Sequence, residues 1–433
     1  MLIASSGVSK AADCTPLTKE ITSTKLGKLY AYAVDLTSGK VLVDKRSREQ
    51  TAPASVMKLV SAAAAVKYIV QPRLIQGLPD YRATTSVLTV ADEPGTIILR
   101  GGGDHTLSRV AVGSYTTYSQ PAKLRDLASQ AVSVLGANPT ITKIVLDDTF
   151  FKGPSWNPNW ASYSRTAGDA APITGLMVDS ARVNPDLTST SYNGVRVADP
   201  TTQAGSFFKQ WLAFYGANLS AVTIVKGATP QNATVIATAN SQPISTWIRH
   251  ALKISDNTET EIIARHTYLS MGLPNNYLSV QIMGTRLFNS EGFSAKNLVM
   301  KDAAGLAAGN RITPRMLVGL LRKATNPEGS LGMLPSLMAT SGDGGTLGGR
   351  FLVYNKTTKH WDLVIPNGAI RAKTGTISGV YSLAGIVTTA ENHKIVFAIF
   401  ATRDLAHGFD VGSGTRTAID AVVDKLYLCG ATY

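Results

Sequence analysis

The sequence predicts an α/β protein in which one strand-and-helix domain, assembled from both ends of the chain, is interrupted by a β-rich insertion. Three observations predict it. The chain has 433 residues, more than one ordinary domain holds, and its 44% hydrophobic and 16% charged residues can fill a sizeable core. Strand and helix signals alternate at both ends. Between about 73 and 241 short strand-like runs dominate instead.

In chain order, residues 29–35 and 40–44 read as two strands around a Thr37-Ser38-Gly39 turn. Pro53-Ala54-Ser55 leads into an Ala-rich run to Val66, a strong helix former that is apolar nearly all round and should be buried. The texture changes after Gln71-Pro72. Strand-like runs follow at 85–90, 96–99, 141–146, 222–225 and 234–237, with helical stretches at 122–135 and 203–215. Gly101-Gly102-Gly103-Asp104 and residues 153–172 read as loops. A helix over 243–253 pauses at Ser255-Asp256-Asn257 before a second over 258–270, and 314–324 is another. The chain ends in strands 369–374, 379–388 and 394–402 and a helix over 415–428. Residues 1–72 plus 242–433 are therefore expected to form one domain, and 73–241 the insertion, with 87–170 as a candidate nested subdomain.

Composition removes several classes. The net charge of +13 is dispersed, with no basic run of the kind that binds nucleic acid. A basic exported protein would instead be drawn to an anionic envelope, the membrane surface or the cell wall. No continuous apolar run approaches the ~20 residues that span a bilayer. Met1-Leu2-Ile3-Ala4 and Ser9-Lys10-Ala11 read either as the remnant of an export signal or as an ordinary N-terminus, because a basic n-region is missing. Cys14 and Cys429 are either a disulfide or two unrelated thiols; their spacing makes no zinc or redox motif. His105, His250, His266, His360, His393 and His407 lack metal-ligand spacing, so neither a metal nor a cofactor is expected.

Three short strings carry chemistry. In Ser55-Val56-Met57-Lys58 the serine and lysine are helical neighbours at i and i+3. A buried lysine loses proton affinity and can accept the proton of the serine hydroxyl. Alone this S-x-x-K occurs by chance roughly once in such a chain, but a surface lysine fits an apolar helix poorly. Ser255-Asp256-Asn257 offers a second hydroxyl to relay a proton and an amide to hold both the lysine and a substrate carbonyl; taken singly it also reads as plain helix capping. Lys373-Thr374-Gly375-Thr376 places a cation and two hydroxyls on a strand edge, suited to a carboxylate. Gly375 lets a peptide lie close to the backbone, and the N–H groups of Thr376 and Ser55 can form an oxyanion hole.

In this order, S-x-x-K, S-x-N and K-T-G are the signature of serine acyl-enzymes acting on penicillin or D-Ala-D-Ala peptides. The flanking strings Gly102-Gly103-Asp104-His105-Thr106-Leu107, Val145-Leu146-Asp147-Asp148-Thr149, Ala171-Pro172-Ile173 and Gly379-Val380-Tyr381-Ser382-Leu383-Ala384-Gly385 extend the pattern. Together they resemble the class C low-molecular-mass penicillin-binding proteins, D-Ala-D-Ala carboxypeptidase/endopeptidases. The resemblance implies a penicillin-binding, serine β-lactamase-like transpeptidase domain, a central antiparallel sheet flanked by helices. It implies Ser55 as nucleophile, Lys58 as its base, and Ser255, Asn257 and Lys373 completing the site. It further implies Thr374 and Thr376 on the terminal carboxylate of a peptidoglycan stem peptide, covalent inhibition by β-lactams, and Arg350 and Ser378 against the stem-peptide side chain. Asp302-Ala303-Ala304-Gly305-Leu306-Ala307 departs from the family's Asp-Gly-Ser-Gly-Leu-Ser. The acidic residue that would meet the stem-peptide amine is not placed by the sequence, with Asp169 and Asp147 as candidates. Trp156, Trp160 and Tyr163 either line a substrate groove or pack. A β-lactamase and a slowly turning-over sensor module remain the rival readings, and the balance of carboxypeptidase and endopeptidase activity and the oligomeric state stay open.

Overall fold

The computed structural model describes residues 17–111, 116–185, 194–355, 358–430 and 432. Its strands are β1 (Lys28–Asp35), β2 (Val41–Lys45), β3 (Thr84–Val90), β4 (Thr96–Arg100), β5 (Lys143–Asp147), β6 (Thr223–Lys226), β7 (Ala233–Asn240), β8 (Ala339–Thr340), β9 (Leu352–Asn355), β10 (His360–Leu363), β11 (Ile370–Ile377), β12 (Val380–Thr388) and β13 (Lys394–Thr402). The chain divides into two compact units. One takes the described residues of 1–56, 311–326 and 338–433, the other those of 57–310 and 327–337.

The first unit is built on a six-stranded antiparallel sheet ordered β2-β1-β13-β12-β11-β8. All of β13 after Lys394 is buried, the mark of a strand covered on both faces. Leu29, Ala31, Leu383, Phe397 and Ile399 pack on one face beneath Ile419, Val422 and Leu426 of the helix Thr415–Cys429. The helix Pro314–Ala324 covers the other, with the Arg315 guanidinium 4.2 Å from the centre of the Tyr32 ring. That helix starts where the sequence predicts because Thr313 Oγ1 accepts from Met316 N at 3.2 Å and Pro314 opens the first turn. At the sheet's end, β8 pairs only with Arg371 and Ala372. Beyond them the outer edge of β11 has no strand partner among the described residues.

In the second unit a five-stranded mixed sheet is ordered β6-β5-β4-β3-β7. Its parallel pairs β4–β5 and β5–β6 are linked through the helices Leu124–Leu135 and Pro200–Phe214, which bury one face. Residues 87–170 supply β4, β5 and most of β3 to this one sheet, so they form no separate nested subdomain. Residues 57–72 and 242–310 also fall in this unit, rather than with the chain ends as the expected division at 72 and 241 had them. The reason lies in the helix Asn257–Ser270, buried along nearly its whole length. It is tied to the segment after β4 and to the loop after β5: His266 Nε2 lies 3.2 Å from Gly103 O, and Ala171 N donates to Thr258 Oγ1 at 3.0 Å.

The Ala-rich helix runs further than its sequence texture suggests. Lys58–Ala65 is α-helical, Val66–Val70 forms a π-type turn, and Gln71–Ile75 resumes the helix through Pro72, whose missing N–H is made up at Tyr68 O by Ser270 Oγ, donating at 2.6 Å. By length and apolarity the run Ala54–Ile75 would suffice to cross a membrane, but 78% of its apolar window is buried in the protein, as expected of a core helix. The helix Ser279–Ser290 has no counterpart in the sequence reading. Gly284 at its middle weakens the helical signal; the Met300 and Leu298 side chains pack directly over it, where a Cβ would lie 2.4 Å from Met300 Sδ. Cys429 is buried and is not a free thiol, while Cys14 lies outside the described residues.

Candidate active site

In the first unit Ser55 sits in the tight helical turn Ala54–Met57, entered through Ala54 at φ +50°, a left-handed value seldom adopted outside glycine. Val56 N donates to Pro53 O at 3.3 Å, and Ser382 Oγ of β12 donates to the same carbonyl at 2.7 Å. Gly375 makes the fit: a Cβ there would stand 2.9 Å from Pro53 O and 3.0 Å from Ser55 N. The K-T-G strand therefore lies directly against the serine turn. Ile370 bonds outward through Ser341, so strand alternation turns the backbone groups of Thr374 and Thr376 to the same outer edge, past the end of β8. The Thr374 carbonyl accepts from Lys373 Nζ at 2.8 Å; Lys373 is fully buried and Thr376 exposed.

In the second unit Lys58 is fully buried and its Nζ donates to Asn257 Oδ1 at 2.6 Å and to Ala304 O at 2.7 Å. Burial lowers its pKa to about 8, with nearby Asp302, Asp256 and Glu261 opposing the shift. At that value roughly a tenth of the amine is neutral at pH 7. Ser255 closes the helix Ile244–Ile254 at φ +67°, and Asp256 caps the next helix by accepting from Glu259 N at 3.0 Å. Asn257 is held from both sides, since its Nδ2 donates to Asp169 O at 2.9 Å.

The carbonyl facing Lys58 is held by groups the sequence reading did not single out. Asp302 accepts from Gly305 N, Ala307 N, Asn310 Nδ2 and Trp160 Nε1, all between 2.7 and 2.8 Å. Glu261 accepts from Ala303 N and Ala304 N at 2.7 and 2.9 Å. Burial, with Asp302 beside it, raises Glu261 to about 8. Two signals were present: Glu261 stands at i+4 from Asn257 on one helix face, and Asp302 with Gly305 is a local turn pattern.

The other expected residues divide. Ser378 is exposed in the β11–β12 turn and accepts from Arg403 Nη2 at 3.2 Å. Arg350 does not join the K-T-G strand: it is buried and its Nε donates to Asp420 Oδ1 of the last helix at 2.9 Å, so an ion pair inside the unit occupies it. Asp147 is likewise a structural carboxylate, held by Thr149 and Thr229, whereas Asp169 adjoins Asn257. Trp160 packs, edge-on to Trp156, and anchors Asp302; Tyr163 is exposed. Among the described residues no cluster of His, Cys, Asp and Glu is arranged to hold a metal.

The chain is similar to known proteins in sequence and in fold. The family model of the D-Ala-D-Ala carboxypeptidase 3 (S13) family matches residues 16–194 and 189–426. The "Carboxypeptidase DacB" of Mycolicibacterium smegmatis is 30% identical over 419 residues, covering 96% of this chain and 84% of its own. The crystal structure of penicillin binding protein 4 (dacB) from Haemophilus influenzae superposes with a TM-score of 0.72 at 18% identity, covering 96% of this chain and 99% of that one. The same Haemophilus protein complexed with a novel β-lactam gives 0.68 at 18% identity over the same shares.

Proposed function

Because the chain belongs to the D-Ala-D-Ala carboxypeptidase 3 (S13) family, and is thereby a serine-type D-Ala-D-Ala carboxypeptidase, we propose how its residues divide the work on peptidoglycan stem peptides. Ser55 Oγ attacks the carbonyl between the two D-alanines, and neutral Lys58 takes its proton. The tetrahedral oxyanion rests on the N–H groups of Ser55 and Thr376. As the C–N bond breaks, Ser255 passes a proton to the departing D-alanine amine. Asn257 holds Lys58 and the substrate carbonyl, while Lys373, Thr374 and Thr376 meet the terminal carboxylate. Water, deprotonated by Lys58, then cleaves the Ser55 ester and restores the enzyme. β-Lactams enter by the same attack and leave slowly, because their opened ring stays attached and blocks water.

One observation carries this reading: the close approach of Gly375 to the Ser55 backbone, which sets the oxyanion donors and the carboxylate-binding hydroxyls on neighbouring backbone. The depressed pKa of Lys58 supports its part as base. A β-lactamase or a sensor module is not favoured by the likenesses. We place the protein outside the cytoplasmic membrane, where peptidoglycan lies, held to the envelope by its charge of +13. Release of D-alanine from a peptide ending in D-Ala-D-Ala tests the assignment. Wild type should release it and Ser55→Ala should not; release by Ser55→Ala would refute it.

A further inference from the structure

Three consecutive non-glycine residues of the second unit, Asp179, Ser180 and Ala181, hold φ values of +48°, +50° and +59°. One such residue is uncommon and three in a row must be held by their surroundings. Here Asp179 N donates to Leu107 O at 2.9 Å and Ser180 N to His105 O at 2.8 Å. The Ser180 hydroxyl bonds to Tyr118 Oη. The strained turn leads into Arg182, which a backbone bridge joins to Arg196, each only 1% exposed. Arg196 Nη1 donates to Ser180 O at 2.8 Å, while Arg182 Nη2 reaches Asp256 Oδ2 at 3.4 Å. Asp256 is the middle residue of Ser255-Asp256-Asn257 and is itself buried.

We infer that Arg182, backed by Arg196, is a positioning residue for the carboxypeptidase reaction, gripping Asp256 so that Ser255 keeps its left-handed conformation and Asn257 stays on Lys58. The inference rests on the roles proposed above for Ser255 and Asn257. Asp256 has both its oxygens engaged, Oδ1 by Glu259 N and Oδ2 by Arg182. Although burial alone would raise its pKa, Arg196 and Arg182 hold it at about 2, so the carboxylate keeps its charge throughout the working range. Behind it, Glu259 lies between His105 Nε2 at 3.3 Å and His250 Nδ1 at 2.6 Å, and Tyr118 stands against both rings. The turn is thus enclosed by charged and aromatic groups. Removing the arginine leaves a buried carboxylate that must find another, and Ser255 and Asn257 flank it.

The experiment follows the benzylpenicillin adduct of the full chain by intact mass over time, for Asp256→Asn, Arg182→Met, their double variant and Arg182→Lys, with thermal melts alongside. Each of the first two should still reach one adduct per molecule, but about 10- to 100-fold more slowly, the loss expected from a misplacement near 1 Å. The double variant should be no more than about twofold slower than the slower single, since the two act as a pair. Arg182→Lys, which keeps the charge, should recover at least about a third of the wild-type rate. Single variants within twofold of wild type, losses that multiply in the double variant, or a shrunken labelled fraction at unchanged rate would each overturn the inference. A wild type that is not labelled at Ser55 would instead refute the roles on which it rests, and that result is distinct from all of these.

Discussion

Lys58, the base of the proposed mechanism, would tie catalysis to stability at one atom. Its pKa of about 8 in the folded protein, against 10.5 for a free lysine, follows first from burial. Between those two pH values the unfolded chain binds more protons than the folded one, so this group makes stability rise with pH across that window. Below pH 8 the full penalty, about 3 kcal/mol, is present. Unfolding free energies of wild type should therefore gain up to about 3 kcal/mol relative to Lys58→Met between pH 8 and 10.5; a constant difference would contradict the burial-driven shift. In the proposed mechanism the same titration would govern the chemistry. The rate of acylation by benzylpenicillin should climb with pH along a limb centred near 8, and a flat profile from pH 6 to 9 would exclude neutral Lys58 as the base. Glu261, raised to about 8 with burial as its first cause, has the opposite sign: its penalty is absent below the usual carboxylate range and complete above 8.

At the scale of elements, the meeting of β11 with the serine turn depends on Gly375. A methyl group there would fall 2.2 Å from Ser382 Oγ and within 3.0 Å of two backbone atoms of the Pro53–Ser55 turn. The side chain can rotate away and the backbone cannot. Gly375→Ala should lower the acylation rate at least 10-fold and stability by about 1–3 kcal/mol, and adding Ser382→Ala should restore only part of either. Acylation kinetics and melts at wild-type levels would contradict that packing. Elements whose signals are local were readable from sequence. Pro314–Ala324 has its cap and Lys394–Thr402 its continuous apolar run, and both stand where expected. The helix through Pro72, the Gly284 helix and the two-residue β8 were not readable, because each is decided by what packs against it. The compact-unit division differs from the sequence expectation for the same reason: the helix Asn257–Ser270 bonds to the segment after β4, a contact that no local pattern announces.

Over the whole molecule, the three motifs were legible as strings because each is a fixed short spacing of specific residue types. What supports them was not. Asp302, Glu261 and Arg182 come from segments far apart in the chain and matter only once brought together, while Arg350, placed by its string, turned out to be occupied by Asp420. The charge of +13 is a property of the whole surface. Binding to isolated cell wall should accordingly be strong at low salt and largely lost by about 0.5 M, where the screening length falls below about 5 Å; salt-independent binding would point to a specific contact instead. The central claim, an acyl-enzyme on Ser55, is tested most directly by intact-mass analysis after incubation with benzylpenicillin. Wild type should gain the mass of one penicillin and Ser55→Ala none; an unmodified wild type, or an equal adduct on Ser55→Ala, would contradict it.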